Sequence, residues 1–519
     1  MFSSTRILAA TALSTIVLAL PNPGVRGMNY DLVSDVAEIN QYWGQLAQYK
    51  DLAANEFGVK NVGLPDGCAV EQAHVLHRHG AREATGAGED GANNAAFAAK
   101  VAAAIANGTT TSGPLAFLAN YTYSLSSSGL LLSEGRAELA TSGADFWKTY
   151  GRLLYDAVPG QTGYNSSFVN GTSRPLPVLR TTSESRILQS AQMWAEGFFG
   201  FNSSSLYDLI VIDEDNLGSN NTLAPYVGCT NGDTELVGYL GDNSVFAWTD
   251  IYLQSATERL SAYFDSSFQL TTNDTYAEYS ALGSSDFCSL FTLDEWKGFE
   301  HSIDIVYYYD GAWPNPIARA SGLGYLEELL ARLDKTYIKT SDSTVNSTLD
   351  SSPSTFPLDQ AFYLDMTHDT TIINLFTAMN LEYFQEDVPL KALSAKGHHY
   401  IESKIAPFGG KLITEVIGCT SSAPAERRNA STVYSKTANG YTQSSASHKF
   451  IRMRLNNGIL PLDTIAGGFC NGRSDGLCDV KDFMASQVNA SALANFDYSC
   501  FADTATVLAD ANGNGAASA

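Results

Sequence analysis

Residues 72–82 read QAHVLHRHGAR, a stretch of strand length that runs into a turn with two arginines, a histidine and a glycine. The pattern predicts a short buried strand that ends at Gly80. Arginine holds phosphate oxygens with a planar fork of donors, so Arg78 and Arg82 together suit one phosphate group. We expect Gly80 to let the backbone approach that ligand closely. Taken alone, the turn fits a basic surface loop equally well.

Two later segments follow the same plan, in which a strand ends and a charged cluster precedes a helix. One runs from Arg180 to Arg186 as RTTSESR, and the other contains His368 and Asp369. In open α/β sheets, ligands bind beyond the carboxyl ends of strands, where helix N-termini direct free N–H groups at anions. Three strand ends of matching chemistry therefore indicate a single anion site.

Strands alternate with amphipathic helices along much of the chain, which predicts an α/β fold. We expect a central mixed sheet with helices on both faces, plus an inserted, mainly helical cap domain. Leu206 to Ile212 is largely apolar, as in a strand covered on both faces, and Ser183 is a candidate helix cap. The other predicted strands lie at 72–78, 176–181, 361–366, 411–418 and 449–455, and the predicted helices at 130–154, 187–198, 295–309, 323–333 and 372–379.

The N-terminus predicts a secretory signal peptide over about residues 1–27. Arg6 is followed by an apolar run that ends at Leu20, too short for a comfortable membrane span. No second long apolar run follows, so no membrane span is expected. After the signal peptide we predict a catalytic unit over 28–503 and a flexible tail over 504–519. Within the catalytic unit, the α/β core covers about 60–83, 129–213 and 331–503, and the helical cap covers about 84–128 and 214–330.

The composition limits the class of partner. The chain has 519 residues, 44% hydrophobic and 17% charged, which describes a globular protein. Its formal charge of −24 argues against nucleic-acid binding. The same charge repels anionic substrates, so an anion-processing site needs its own arginines and favours mildly acid conditions. Glycosylation sequons, which support secretion, occur at Asn107, Asn120, Asn165, Asn170, Asn202, Asn220, Asn273, Asn346, Asn429 and Asn489.

The cysteines predict structural disulfides, because none has the spacing of a metal site. Their number is odd, so at least one thiol is left over. Spacing leaves the connectivity open, although Cys470 and Cys478 are close enough to close a short loop. The seven are Cys68, Cys229, Cys288, Cys419, Cys470, Cys478 and Cys500.

The charged clusters fit hydrolysis of a phosphate monoester through a covalent intermediate. The neutral imidazole of His79 can attack phosphorus, and Asp369 is the best-placed acid to protonate the leaving alkoxide. Arginines would stabilise the equatorial oxygens of the transferring group. No Mg²⁺ motif, P-loop or GxSxG sequence occurs, so we expect a metal-independent enzyme without a cofactor.

The sequence resembles the histidine acid phosphatase family, and within it the secreted fungal phytase and acid phosphatase branch. The matching motifs are RHGAREAT at 78–85, RTTSESRILQSAQMWAEGF at 180–198 and DMTHDTTI at 365–372. Weaker matches, FCSLFTLDEW, APFGGKLITEVIGC and SCFA, extend the resemblance from about residue 60 to 503.

The resemblance implies a role for each site residue. His79 would be the phosphorylated nucleophile and Asp369 the proton donor. Arg186, rather than Arg180, matches the third phosphate-binding arginine by its distance to the following EGF. The implied phosphate-binding residues are Arg78, Arg82, Arg186 and His368.

The resemblance also implies the disulfides, as Cys68–Cys419, Cys229–Cys500 and Cys470–Cys478. It leaves Cys288 without the nearby partner that the family provides. The remaining histidines have structural interpretations: His74 and His77 pack in a strand, His301 belongs to a helix, and His398 and His399 form a solvent-facing loop pair. For Arg180, a structural ion pair and an indirect role in the site are both open.

One departure from the phytases concerns the segment after the first motif. It is acidic, with Glu89 and Asp90 where phytases tend to carry lysines, and Glu83 replaces an aromatic residue. An acidic rim penalises a substrate with many phosphates more than one with a single phosphate. We therefore expect a broad-specificity secreted acid phosphatase acting on small phosphate monoesters, with phytase as the alternative. A second alternative, which is not an enzyme, is a secreted glycoprotein that binds phosphorylated ligands without hydrolysing them.

Overall fold

A single mixed sheet organises the chain. The computed structural model describes residues 30–86, 93–123, 128–158, 160–265, 268–280, 285–393, 398–429, 441–470 and 472–518; the predicted signal segment lies outside them. The sheet has eight strands in the order β3-β2-β4-β1-β5-β6-β7, with β8 paired to β6. The strands are β1 Cys68–Arg78, β2 Val178–Thr182, β3 Asp208–Ile212, β4 Phe362–Thr367, β5 Lys411–Cys419, β6 His448–Leu455, β7 Gly458–Ile459 and β8 Cys478–Asp479.

Four strands run in one direction and bring their carboxyl ends to one edge of the sheet. β1 pairs with β4 in parallel, with Arg78 opposite Thr367. β2 is parallel to both β4 and β3, with Arg180 opposite Asp365. β5 and β6 are antiparallel to their neighbours. The segments that follow β1, β2, β3 and β4 therefore meet at the same edge.

Helices supply the rest of the regular structure. The longer ones are α1 Asn94–Ala106, α2 Ser133–Phe146, α3 Ser185–Phe199, α4 Gln254–Ser261, α5 Thr272–Ser280, α6 Leu293–Gly311, α7 Ala318–Asp334 and α8 Asp369–Ala378. Shorter helices span Val36–Ile39, Arg152–Leu154, Pro225–Gly228, Leu240–Ser244, Phe246–Tyr252, Ser285–Cys288, Ser347–Asp350, Glu402–Ile405, Val480–Ser486, Ala490–Ala494, Phe496–Phe501 and Thr504–Ala509. None of the helices in the described ranges is long and apolar enough to cross a membrane.

Alternation along β1 explains why both faces of the sheet are covered. Val75 belongs to a buried cluster with Leu139 of α2 and Trp194 of α3. The next residue, Leu76, belongs to a second cluster that includes Leu326 of α7 and Ile372 of α8. Side chains in a strand alternate between faces, so each face carries its own core. The predicted α/β class is confirmed.

The prediction for the third strand is wrong in one respect. β3 is the edge strand, and Val211 is 45% exposed, so the strand is not covered on both faces. An edge strand has a neighbour on one side only, which leaves part of its surface to solvent. Ser183 also differs from its predicted role as a helix cap. Glu184 occupies the cap position of α3, and the Ser183 hydroxyl accepts a hydrogen bond from Glu214 N at 2.9 Å.

The predicted cap segments contain helices in the described residues, but the boundary at 330 falls inside α7. That helix is continuous because it packs against α8 and reaches the sheet through Arg332. The division into core and cap remains a prediction.

The C-terminus differs from the predicted flexible tail. Residues 504–518 form a helix and then a turn that packs on the body of the protein. Gly515 N donates to Trp313 O at 2.7 Å, and Arg319 donates to the Asn514 side chain at 2.8 Å. Ala517 is buried. The small residues that suggested flexibility instead let the backbone lie close to α7.

Three disulfides lie in the described residues, two of them between distant parts of the chain and one closing a short loop. They are Cys68–Cys419, Cys229–Cys500 and Cys470–Cys478, the pairings that the resemblance implies. Cys68 and Cys419 face each other across β1 and β5. Cys288 is buried and lies outside these three bridges.

Arg180 is part of a buried ion network beneath the site edge. Its Nε lies 2.7 Å from Asp365 Oδ1, its Nη1 lies 3.2 Å from Asp350 Oδ1, and its Nη2 pairs with Glu328. Arg332 binds the other oxygen of Asp365 at 2.5 Å. Burial and the neighbouring Glu328 raise the pKa of Asp350 to about 9, so two cations balance two carboxylates. Arg180 is therefore a structural residue.

Replacing Arg180 with alanine should destabilise the protein by about 3–5 kcal/mol, because buried carboxylates lose their partner. Guanidinium unfolding followed by tryptophan fluorescence measures this change. Lys148→Ala is the matched control, since it removes an exposed ion pair with Asp145, and it should leave the unfolding midpoint unchanged. Equal midpoints for the two variants would contradict the structural role.

Candidate active site

The segments after the four parallel strands converge on one pocket edge. β1 delivers His79, β2 delivers Arg186 at the start of α3, and β4 delivers His368 and Asp369 at the start of α8. β3 leads into Glu214, a contribution the sequence did not reveal. The structure thus brings together residues that are up to 290 positions apart. The helix starts at α3 and α8 add partial positive charge on the same side.

The imidazole of His79 is held in one tautomer. Its Nδ1 lies 2.8 Å from Gly80 O, and a carbonyl oxygen only accepts, so Nδ1 carries the proton. Nε2 is left with a lone pair. The backbone is fixed on both sides, since His79 N donates to Thr367 O at 3.1 Å and Gly409 N donates to His79 O at 2.9 Å. The side chain is therefore set up for attack through Nε2.

Burial and charge keep His79 neutral. Burial lowers its pKa most, and the cations of Arg78, Arg186 and Arg82 lower it further. The hydrogen bond to Gly80 O acts in the opposite direction but is outweighed. The neutral, nucleophilic form therefore persists well below the usual histidine range.

Gly80 also has a packing role that the sequence did not reveal. A Cβ on Gly80 would lie 2.5 Å from Gly135 O and 2.5 Å from a methyl group of Leu139, both in α2. Gly80 is needed because the catalytic turn packs directly against that helix. Its amide also donates to the Ser190 hydroxyl of α3 at 3.2 Å.

Arg78 joins the first and third segments of the site. It is fully buried, and its Nη2 lies 2.6 Å from Asp369 Oδ2. Its Nη1 donates to Gln45 O and to Ala406 O, the latter at 2.7 Å. The guanidinium carbon also lies 4.6 Å from the centre of the Phe408 ring. These contacts fix the fork of donors before any ligand binds.

The surroundings of Asp369 lower the pKa of its carboxyl group. Burial raises its pKa, but Arg78, His368 and Arg82 together outweigh burial and lower it below the usual 3.8. Thr370 N donates to its Oδ1 at 2.8 Å. These contacts favour the ionised form of Asp369.

The other predicted phosphate ligands lie around the same pocket. Arg82 is mostly buried and donates to Glu83 O at 3.0 Å. Arg186, the second residue of α3, pairs with Glu184. His368 caps α8, and its ring centre lies 6.2 Å from that of His79.

Two glutamates reach this pocket that sequence reasoning did not assign to it. Glu214 Oε1 lies 2.7 Å from His368 Nε2, and Glu184 Oε2 lies 3.7 Å from the same nitrogen. Burial raises the pKa of Glu214, but His368 and hydrogen bonds including one from Tyr226 outweigh it and lower the pKa to about 2. The sequence places Glu184 inside the RTTSESR motif. For Glu214, its position after a predicted strand is the one feature that could have indicated a role in the site.

Four of the five other histidines assigned above lie as expected, and His398 does not. His74 and His77 are buried in β1, and His77 Nε2 accepts from the Ser142 hydroxyl at 2.8 Å, as expected of packing residues. His301 is buried in α6, and His399 is exposed. His398 differs from the predicted solvent-facing residue, because its Nε2 lies 2.8 Å from the buried Asp304. The acidic pair Glu89 and Asp90 lies outside the described residues.

Two groups within the described ranges bring three metal-ligating atoms within 4.8 Å of one another. The first, Glu184, Glu214 and His368, belongs to the phosphate pocket and is engaged with Arg186 and Tyr226. The second, His301, Asp304 and His398, lies on α6 and the loop that follows residue 397.

A family model described as histidine phosphatase superfamily, branch 2, matches residues 69–456. The chain belongs to this superfamily. Its relatives include Phytase A of Aspergillus oryzae, 26% identical over 96% of this chain and 99% of the relative. The thiamine-repressible acid phosphatase pho4 of Schizosaccharomyces pombe is 26% identical over 87% of this chain and 89% of the relative. The prediction of a phosphoric monoester hydrolase of the histidine acid phosphatase type is confirmed.

Solved structures of the superfamily share the fold. The phytase from D. castellii superposes with a TM-score of 0.62 at 22% identity, covering 90% of this chain and 88% of that one. A multiple inositol polyphosphate phosphatase of Bifidobacterium longum gives 0.55 at 11% identity, covering 85% and 96%.

We predict that the His79 ring stays neutral and protonated on Nδ1 as the pH falls through the usual histidine range near 6.5, because burial and the neighbouring arginines lower its pKa well below that value. Nitrogen NMR of histidine-labelled protein measures the protonation state. The His79→Asn variant identifies the signal by its disappearance. A His79 signal that titrates near pH 6.5 would show that the arginines do not hold the ring neutral.

Proposed function

We propose that the protein is a secreted acid phosphatase that hydrolyses phosphate monoesters through a phosphohistidine intermediate at His79. The observation that carries the proposal is the lone pair on His79 Nε2, which the Nδ1–H to Gly80 O contact defines. It lies among Arg78, Arg82 and Arg186, the cations that lower the His79 pKa. A neutral nucleophile beside three fixed cations is suited to attack a phosphate group.

In the first step, His79 Nε2 forms a bond to phosphorus and the bond from phosphorus to the ester oxygen breaks. The leaving oxygen takes a proton from Asp369. Arg78 favours the ionised form of Asp369. A bound phosphoryl group adds negative charge and competes for Arg78, so it favours the protonated acid. Mildly acid conditions assist the same protonation.

In the second step, water attacks phosphorus, and the bond to His79 Nε2 breaks. Asp369, now ionised, accepts the proton of the water. The arginines and His368 stabilise the oxygens of the transferring group in both steps. Asp369 therefore gives a proton in the first step and takes one in the second.

Acidic groups at the pocket favour substrates with a single phosphate. Glu184 pairs with Arg186, and Glu214 contacts His368, so two carboxylates lie directly beside phosphate-binding donors. The side chain of Glu184 is 32% exposed, so its carboxylate lies at the surface of the site. These carboxylates would repel each additional negative charge on a substrate. We therefore favour simple monoesters over inositol hexakisphosphate.

Phytase activity remains the second candidate, because several relatives are named Phytase A and the D. castellii structure is a phytase. The relatives also include an acid phosphatase of similar identity. The carboxylates of Glu184 and Glu214 are the observation that favours the acid phosphatase.

Secretion is part of the proposal and is supported by the sequons. Nine of the ten asparagines are exposed, and Asn346 is half-buried at a helix cap. The Asn220 side-chain amide donates to Val345 O at 2.9 Å.

His79→Ala should reduce hydrolysis of 4-nitrophenyl phosphate at acid pH by about 10³-fold or more, because it removes the imidazole nitrogen that attacks phosphorus in the proposed mechanism. Initial rates on purified protein measure this. The exposed His399→Ala variant is the control and should retain wild-type rates. Turnover by folded His79→Ala at more than a few per cent of the wild-type rate would reject the mechanism, and an inactive wild type would favour a binding protein.

Glu184→Gln should raise kcat/KM for phytate relative to that for 4-nitrophenyl phosphate by about threefold to tenfold, since one negative charge leaves the pocket. Glu196→Gln, on the same helix away from the pocket, should leave the ratio unchanged. A wild-type preference for phytate, or a ratio insensitive to Glu184→Gln, would favour the phytase instead.

A further inference from the structure

A cluster outside the phosphate pocket has the composition of a metal site. Helix α6 contributes His301 and Asp304, which are one turn apart and both about 1% exposed. Residues three apart on a helix lie on the same face. His398 joins them from the loop before Glu402–Ile405. One ring nitrogen of each histidine and one oxygen of Asp304 lie within 4.8 Å of one another.

An ion pair between His398 and Asp304 alone would not account for the buried position of His301 beside them. Its Nε2 lies 2.8 Å from Pro389 O and therefore carries the proton, which leaves a lone pair on Nδ1. That Nδ1 is buried and has no partner in hydrogen-bonding geometry among the described residues. A metal-ligating histidine commonly donates its other N–H to a backbone carbonyl, as His301 does to Pro389.

Asp304 is oriented by both of its oxygens. Oδ2 lies 2.8 Å from His398 Nε2, and Oδ1 accepts from Glu402 N at 2.7 Å. A carboxylate held in this way can ligate a cation without rearranging its backbone partner. The contact with His398 would be replaced by a shared cation, since both atoms are metal ligands.

Two further carboxyl groups lie beside the cluster. Glu300 and Glu402 are buried next to Asp304, and the Ser403 hydroxyl donates to Glu300 Oε1 at 2.5 Å. Buried carboxylates need a compensating cation or a proton.

We propose that His301, Asp304 and His398 bind one Zn²⁺ or a similar first-row divalent cation. Two imidazoles and one carboxylate suit zinc better than magnesium or calcium, which prefer oxygen ligands alone. The cation would connect α6 to the segment that continues to Phe408, the ring that packs on Arg78 and His79. It is a structural cation and takes no part in phosphoryl transfer.

The test is zinc binding to chelator-treated full-length protein at neutral pH, measured by isothermal titration calorimetry. Wild type should bind about one equivalent, and His301→Gln and His398→Gln should weaken binding by about 100-fold. His399→Gln, one residue away and exposed, is the matched control and should bind like wild type. His368→Gln should also bind like wild type, which separates this site from Glu184, Glu214 and His368.

X-ray absorption of the zinc-loaded wild type gives a readout that needs no variant, and it should show two imidazole ligands. The proposal is overturned if the wild type binds no stoichiometric zinc, if His301→Gln and His398→Gln bind as wild type does, or if His368→Gln removes the binding. All these measurements are independent of phosphatase activity, so their failure leaves the proposed function untouched.

Discussion

The contact between Arg78 and Asp369 connects two neighbouring parallel strands at the point where both end. The register of β1 and β4 places Arg78 opposite Thr367, so the residues that follow, His79 on one strand and His368 with Asp369 on the other, become neighbours. Arg78 is fully buried and also binds Gln45 O and Ala406 O. A guanidinium fixed by so many partners holds the nucleophile and the acid in one arrangement. Without this register, the two motifs would be separate surface loops.

Charge balance in the pocket explains how a histidine remains a nucleophile in an acid enzyme. The arginines lower the pKa of His79, and the carboxylates of Glu184 and Glu214 hold Arg186 and His368 in place. In the proposed function, the phosphate meets donors that are already oriented. The same carboxylates would make an accumulation of negative charge on the substrate unfavourable. In that proposal, specificity and catalysis depend on the same few ion pairs.

Local sequence predicted the parts of the fold that local chemistry determines. The strands around residues 72–78, 176–181 and 361–366 were predicted from local patterns, and the charged clusters that follow them indicated an anion site. Glu214 could not be predicted, because it depends on β3 lying beside β2 in the sheet. The exposure of Val211 follows from the same strand order.

Other differences came from packing that no local pattern encodes. Gly80 is required by the close approach of α2. The Gly- and Ala-rich end of the chain had the composition of a flexible tail, yet it lies against Trp313 and Arg319. His398 had the polarity of a loop residue, but it lies against Asp304 on a distant helix.

The central claim is that His79 accepts the phosphoryl group, and trapping the covalent intermediate tests it most directly. Enzyme mixed with a radiolabelled aryl phosphate is quenched in alkali, where phosphohistidine survives, and the labelled peptide is mapped by mass spectrometry. The account predicts phosphate on His79 of the wild type and no label in His79→Ala. Label on a different residue, or full turnover without any labelled enzyme, would contradict it.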